Sequence, residues 1–380
     1  MMGLTQYNYP TPIVFGPGAR ARLNEVLTSR GKTRPLFLTD RGVAGLPFFK
    51  EMMDSAASAG LAPAAFSEVG GNPVESQVTA GVAAYKAHNA DALVLVGGGA
   101  ALDVGKAVAL MVNHPGNLFD YEDGKPDALP VDQEIPFIVA IPTTAGTGSE
   151  VGRSSVISDD VTHVKKIIFS PKLLAPIVLA DPELTLDLPG FITAATGVDA
   201  LSHNVEAFLS QGFHPMADGI ALEGIRLVAE NLVTCYTEPK NVDARGKMLI
   251  ASSMGAVAFQ KGLGVTHSCA HALSAVCDTH HGLANALMLV PCMRFNAEAV
   301  PERLARMAAV VGAEPTADGF IAWMEGLFAQ LDIPKNLRAA GVKEEQLDAL
   351  VNIAVQDCCH PCNPREVTRE DFVRLFSEAM

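Results

Sequence analysis

The hydrophobic pattern of this 380-residue chain changes its period part-way along, and that change limits the folds open to it. In the first half, short apolar runs close in polar or glycine-rich stretches: PLFLTD (35–40), ALVLVGGG (92–99) and PFIVAIPTTAG (136–146). Strands buried on both faces of a parallel sheet have this signature. Ala-rich helical stretches such as 75–88 lie between them. Strand, helix, strand in succession predicts an α/β parallel sheet. Beyond residue 190 the apolar residues recur at helical spacing, as in ITAATGVDALSHNVEAFLS (192–210) and ADGIALEGIRLVAENLVTCY (217–236). Between the halves, DPELTLDLPG (181–190) is rich in proline and acid and breaks both patterns. The expected organisation is an α/β domain over 1–185 and an all-helical domain over 186–380. With 49% apolar residues the chain has material for two cores.

Charge narrows the function classes. The formal net charge is −14, and the nearest approach to a basic patch is the pair Lys165 and Lys166. Nucleic-acid binding needs a basic stripe, so that partner is not expected. The opening MMGLTQYNYPTP lacks a basic segment followed by an apolar one, and no apolar run reaches membrane-spanning length. The chain therefore reads as cytoplasmic, with no membrane partner. Its seven cysteines are an odd number and a poor disulfide framework. Cys359-His360-Pro361-Cys362 has the spacing of a redox pair or half a zinc site, with no second CxxC to complete the latter.

Two loops have the chemistry of a nucleotide site. Gly97-Gly98-Gly99-Ala100-Ala101-Leu102-Asp103 follows a strand and leads into the helix-like DVGKAVALMV. Glycines let backbone N–H groups approach phosphate oxygens, and a helix N-terminus favours negative charge. This is not the usual dinucleotide fingerprint, because Leu102 stands at the third glycine position. The acidic residue best placed for a ribose is Asp40, earlier in the chain at the end of PLFLTD. The second loop, Pro142-Thr143-Thr144-Ala145-Gly146-Thr147-Gly148-Ser149-Glu150, carries three threonines and a serine around two glycines, donors for a phosphate or ribose.

Metal-capable residues cluster in the second half. Asp199 and His203 stand four apart in GVDALSHNVEAF, on one face of a helix. His267 and His271 repeat the spacing, and His280 and His281 follow at what reads as a Gly-containing turn, HHGLANA. One carboxylate with two or three imidazoles suits Zn²⁺ or Fe²⁺ better than Mg²⁺ or Ca²⁺.

Together these segments resemble the iron-containing alcohol dehydrogenases over nearly the whole chain. GGGAALDVGK (97–106) is similar to that family's glycine loop and PTTAGTGSE (142–150) to its second cofactor motif. GVDALSHNVEAF (197–208) and GLGVTHSCAHALSAVCDTHHGLANA (262–286) are similar to its metal-binding segments. The resemblance implies a dehydroquinate synthase-like fold, with an N-terminal dinucleotide-binding domain and an all-helical metal-binding domain. It implies NAD and Fe²⁺ as cofactors, with Zn²⁺ or another divalent ion as substitutes. It points to Asp199, His203, His267 and His281 as ligands and puts His271 at the family's nearby non-ligand histidine. For the cofactor it points to Asp40, Asn72, Gly97, Gly98, Gly99, Ala100, Asp103, Thr143, Thr144, Thr147 and Lys165. Ala100 replaces the family's serine, and His280 replaces the proline before the last ligand. The implied reaction is reversible hydride transfer between a primary alcohol or diol, or its aldehyde, and NAD in a homodimer or larger homo-oligomer. His271 is the candidate relay for the alcohol proton. Related alternatives are an NAD-using metal lyase of the dehydroquinate synthase type and a metal-free maleylacetate reductase-like enzyme.

Overall fold

The computed structural model describes Tyr9 and residues 11–380; most of the opening segment MMGLTQYNYPTP lies outside the described residues. Packing divides the chain into two units. One comprises residues 11–144 with Ser149–Thr185, and the other Tyr9, Ala145–Gly148 and Leu186–Met380.

The first unit is built on strands β1 (Ile13–Phe15), β2 (Pro35–Asp40), β3 (Ala64–Val69), β4 (Ala92–Gly97), β5 (Phe137–Pro142) and β8 (Ile177–Ala180), with the hairpin β6 (Ser154–Ser158) and β7 (Lys165–Phe169). Helices α1 (Leu23–Ser29), α2 (Arg41–Ala44), α3 (Pro47–Ser58), α4 (Glu75–His88) and α5 (Gly99–Asn113) connect them. Six strands form one parallel sheet in the order β1-β8-β5-β4-β2-β3. Every residue of β4 is buried, as expected for a central strand covered on both faces. From β2 the chain proceeds to β3 on one side, and from β4 to β5 on the other. The direction of winding thus reverses between β2 and β4. In open α/β sheets this switch point, at the carboxyl ends of the strands, is where ligands bind.

The second unit holds α6 (Gly190–Leu209), α7 (Pro215–Thr237), α8 (Val242–Ala258), α9 (Val265–Cys277), α10 (His281–Ala297), α11 (Pro301–Val310), α12 (Ala317–Gln330), α13 (Leu347–Ala354) and α14 (Arg369–Ala379). Helix α6 is buried along nearly all of its length, the mark of a helix at the centre of its unit. It packs on α7, α8 and α10. The stretch HHGLANA does not form the turn expected of it: His280 is the N-cap of α10 and Gly282 lies inside that helix. The glycine serves close packing instead, because a Cβ at Gly282 would run into the Ala195 carbonyl of α6. Among the described residues no single helix is long and apolar enough to cross a membrane.

Candidate metal centre and nucleotide edge

Helix α6 places Asp199, His203 and Glu206 on one face at spacings of four and three, all buried. A buried carboxylate persists only when it is paired or ligating. Asp199 Oδ1 accepts from Asn285 Nδ2 at 2.8 Å and lies 3.4 Å from His281 Nε2, both on α10. Its Oδ2 lies 3.9 Å from His203 Nδ1. From α9, the His267 ring stacks on His203 with centroids 4.6 Å apart. Asp199, His203, His267 and His281 each offer a donor atom, and the four atoms lie within 4.8 Å of one another.

Three observations fit a divalent cation here. The His203 Nδ1 is buried without a hydrogen-bond partner. The Asn285 amide nitrogen sits 2.8 Å from Asp199 Oδ1, 3.3 Å from His281 Nε2 and 3.4 Å from His267 Nε2, so a positive dipole already stands among three convergent electron pairs. The donor set of three imidazoles and one carboxylate is that of an iron or zinc site.

Electrostatics set the ring states. Burial pushes the His203 imidazole down to about 4, against the attraction of Asp199, so it is neutral and able to ligate. His267 is different: burial opposes its charge, but the Glu206 hydrogen bond and charge outweigh burial and raise its pKa. Glu206 Oε2 accepts from His267 Nδ1 at 2.6 Å. An ionised carboxylate can only accept, so Nδ1 carries the proton and the Nε2 lone pair is turned to the cluster. Glu206 also accepts the backbone N–H groups of Gly264, Thr266 and His267, at 3.1, 2.6 and 3.2 Å. It thereby satisfies the start of α9, whose N-cap glycine has no side chain to do so.

His271 stands one turn beyond His267 and outside the four-residue cluster. Its Nδ1 donates to Asp357 Oδ2 at 2.7 Å, and its ring stacks on His281 at 5.5 Å. His280 is exposed, lies edge-on to Phe191 at 5.9 Å and does not belong to the cluster.

In the α/β unit, Asp40, the glycine loop, Thr143 and Thr144 lie at the carboxyl ends of β2, β4 and β5, at the switch point. Asp40 ends β2; its Oδ1 caps α2 by accepting from Val43 N at 2.9 Å. Its Oδ2 lies 3.4 Å from the place a Cβ at Gly97 would occupy. Gly97 has φ +155°, a conformation that side chains rarely adopt. Gly98 is the N-cap of α5, with Gly99 and Ala100 in its first turn, and a Cβ at Gly98 would meet Thr144 Oγ1 at 3.1 Å. Thr143 N donates to Gly97 O at 3.0 Å, which joins the ends of β4 and β5. Asp103 turns into the protein: Oδ1 accepts from Ser149 Oγ at 2.5 Å and lies 3.2 Å from Lys106 Nζ, and Oδ2 accepts from Val156 N at 3.0 Å. Lys165 pairs with Ser158 across the hairpin, and Ser158 bridges to Val74 in the turn that holds Asn72. Thr147 belongs to Ala145–Gly148, which packs with the helical unit: Ser252 Oγ donates to Gly146 O at 3.0 Å.

Three polar residues at the centre were not singled out from sequence. Glu206 had a legible signal, since it shares a helical face with Asp199 and His203. Asn285 had one too, four residues after His281. Asp357 had none, being 86 positions from His271.

Residues 10–182 match the family described as iron-containing alcohol dehydrogenase, and residues 193–380 match the Fe-containing alcohol dehydrogenase family, C-terminal part. The chain is 37% identical to a 4-hydroxybutyrate dehydrogenase of Cupriavidus necator, covering 98% of this chain and 99% of that protein. It is 33% identical to an NAD-dependent methanol dehydrogenase of Bacillus methanolicus, covering 99% and 100%. Its fold superposes on a 1,3-propanediol oxidoreductase crystal structure with a TM-score of 0.95 at 34% identity, over 100% of both chains. Matched in both units and along its whole length, the chain belongs to the iron-containing alcohol dehydrogenase family.

Proposed function

We propose that the protein is an NAD-linked alcohol dehydrogenase, dependent on Fe²⁺ or Zn²⁺, that interconverts a small primary alcohol or diol with its aldehyde. The observation that carries this reading is the convergence of Asp199, His203, His267 and His281 donor atoms within 4.8 Å. When bound, the cation supplies Lewis acidity to the alcohol or carbonyl oxygen and the nicotinamide exchanges the hydride.

The chain's own residues do the rest. Glu206 holds the His267 ring with its Nε2 lone pair directed inward, and Asp357 does the same for His271. The Nε2 of His271 is then the acceptor that takes and releases the alcohol proton. The N–H groups of Gly99 and Ala100, at the start of α5, hold the pyrophosphate. Asp40 accepts from the adenosine ribose, and Asn72, Thr143, Thr144, Thr147 and Lys165 make further cofactor contacts. Asp103 braces the glycine loop through Ser149 and Val156.

The activities named for the relatives support a short primary alcohol or diol as substrate. All seven cysteines are free thiols, which supports a reducing, cytoplasmic compartment. A homodimer or larger homo-oligomer follows from the family resemblance, and light scattering tests it. The activity is tested on an alcohol and aldehyde panel with NAD or NADH, the metal-free protein being reloaded separately with Fe²⁺ and with Zn²⁺. Cation-dependent turnover of at least one short primary alcohol is expected; no turnover with either ion on any member of the panel would count against the reading.

A further inference from the structure

Beside the centre just described lies a second group of metal-capable side chains. His271 on α9 and Asp357 and Cys359, beyond α13, offer one nitrogen, one oxygen and one sulfur within 4.8 Å of one another. Cys359 is buried and the other two are largely so. The carboxylate is held in place before any ligand arrives. Its Oδ1 accepts from Ser268 Oγ at 2.7 Å and from the Cys359 N–H at 2.9 Å, so only Oδ2 is left to face His271. Ser268 in turn accepts from His360 N at 2.9 Å, which fixes the strand of chain that carries the thiol. Metal ligands need such outer partners to hold their orientation. Burial opposes the Asp357 charge, but His271, the Cys359 N–H and Ser268 outweigh it and hold the carboxyl well below its ordinary range.

We propose that His271, Asp357 and Cys359 form a second divalent-cation site, suited to Zn²⁺, distinct from the Asp199/His203/His267/His281 centre and marked by a thiolate donor. Imidazole, carboxylate and thiolate together select zinc, or cobalt as its stand-in, over magnesium, calcium or manganese. Three protein donors leave a fourth position for water. The proton balance is simple. The cation replaces the Nδ1 proton that His271 donates to Asp357, and the imidazole takes one back at Nε2. The Cys359 thiol gives its proton to solvent, so binding releases one proton per ion. Without a cation that thiol stays protonated, because its hydrogen bond with Cys358, burial and the Asp357 charge all push it up. With a cation on Nδ1 the Nε2 of His271 carries the proton, so the relay of the alcohol proton proposed above operates only while this site is empty.

The test is a titration of the metal-free, full-length protein with Co²⁺. Absorption is followed through the visible and near-ultraviolet, and bound metal is counted by elemental analysis after gel filtration. Two equivalents per chain are expected. One shows only ligand-field bands, from the nitrogen and oxygen donors of the first centre. The other brings a thiolate-to-cobalt charge-transfer band. Cys359→Ser should lose that band and one of the two equivalents while keeping the ligand-field bands, and Cys358→Ser and Cys362→Ser should keep both. A single equivalent without a thiolate band in the unmodified protein overturns the second site. A band that survives Cys359→Ser overturns the assignment. Should Cys359→Ser fail to fold, Asp357→Asn decides in its place, with loss of the band supporting the site and an unchanged band refuting it. Absence of the nitrogen–oxygen equivalent would tell against the catalytic centre instead, so the two failures are distinguishable.

Discussion

Glu206 and His267 are joined by a 2.6 Å hydrogen bond between two buried side chains, and this one carboxylate both aims the ring and closes the start of α9. Its two tasks separate by mutation. Glu206→Gln keeps the shape but loses the charge that holds the Nδ1 proton. Outer partners of metal ligands typically contribute about 10–100-fold in affinity, so chelator competition should show a loss of that size with the fold retained. Glu206→Ala also strips the acceptor from three backbone N–H groups, and the metal-free protein should lose roughly 3–5 kcal/mol in denaturant unfolding. Equal behaviour of the two variants in both measurements would contradict this division.

The two adjacent imidazoles at the start of α10 should differ sharply. His281→Ala and His267→Ala should each empty the first centre and abolish turnover while circular dichroism stays native. His280→Ala should keep both metal and activity, because His280 is exposed and outside the cluster. The reverse pattern, with His280→Ala the damaging change, would move the last ligand by one residue.

Gly282 is where helix packing reaches the metal. A Cβ there meets the Ala195 carbonyl, which is backbone and has little room to yield. Gly282→Ala should cost roughly 1–3 kcal/mol, the usual range for overpacking. It should also weaken metal binding, because α10 carries His281. Calorimetry with and without metal separates the two effects; a variant as stable and as metal-replete as the parent would refute the close-approach argument.

Asp40 divides its oxygens between a helix cap and the glycine loop. A carboxylate accepts from a ribose 2′-OH and repels a 2′-phosphate. Hydrogen bonds to charged groups contribute about 1.5–3 kcal/mol, so Asp40→Gly should lower the preference for NAD over NADP by roughly 10–100-fold. Asp40→Ser, which retains a capping oxygen, should show the same shift in kcat/KM with less loss of stability. Unaltered discrimination in both variants would remove Asp40 from the ribose site.

His271→Ala should lower kcat by about 10²–10⁴, the usual contribution of a general acid–base group, and should leave the cation of the first centre in place. Added imidazole should restore part of the rate. Turnover within a few-fold of the parent, with no response to imidazole, would leave His271 only a packing role.

The sequence by itself determined the class of each half and the local pairs within the centre. Alternating buried runs specified a parallel sheet, and the i,i+4 spacing put Asp199 with His203 and His267 one turn from His271. The strands visible in that reading, β2, β4 and β5, lie inside the sheet, where cover on both faces forces a continuous apolar run. The edge strands β1 and β3 left no such trace; β3 buries only two of its six residues. Helical periodicity likewise says which side chains share a face, but not which faces meet. Only the tertiary structure decided that α6, α9 and α10 direct their polar residues to one point, that Asn285 and Glu206 stand there, and that Asp357 reaches His271 from 86 positions away. It also brought His281, and not His280, into the cluster with Asp199, on a helix that meets α6 closely at Gly282.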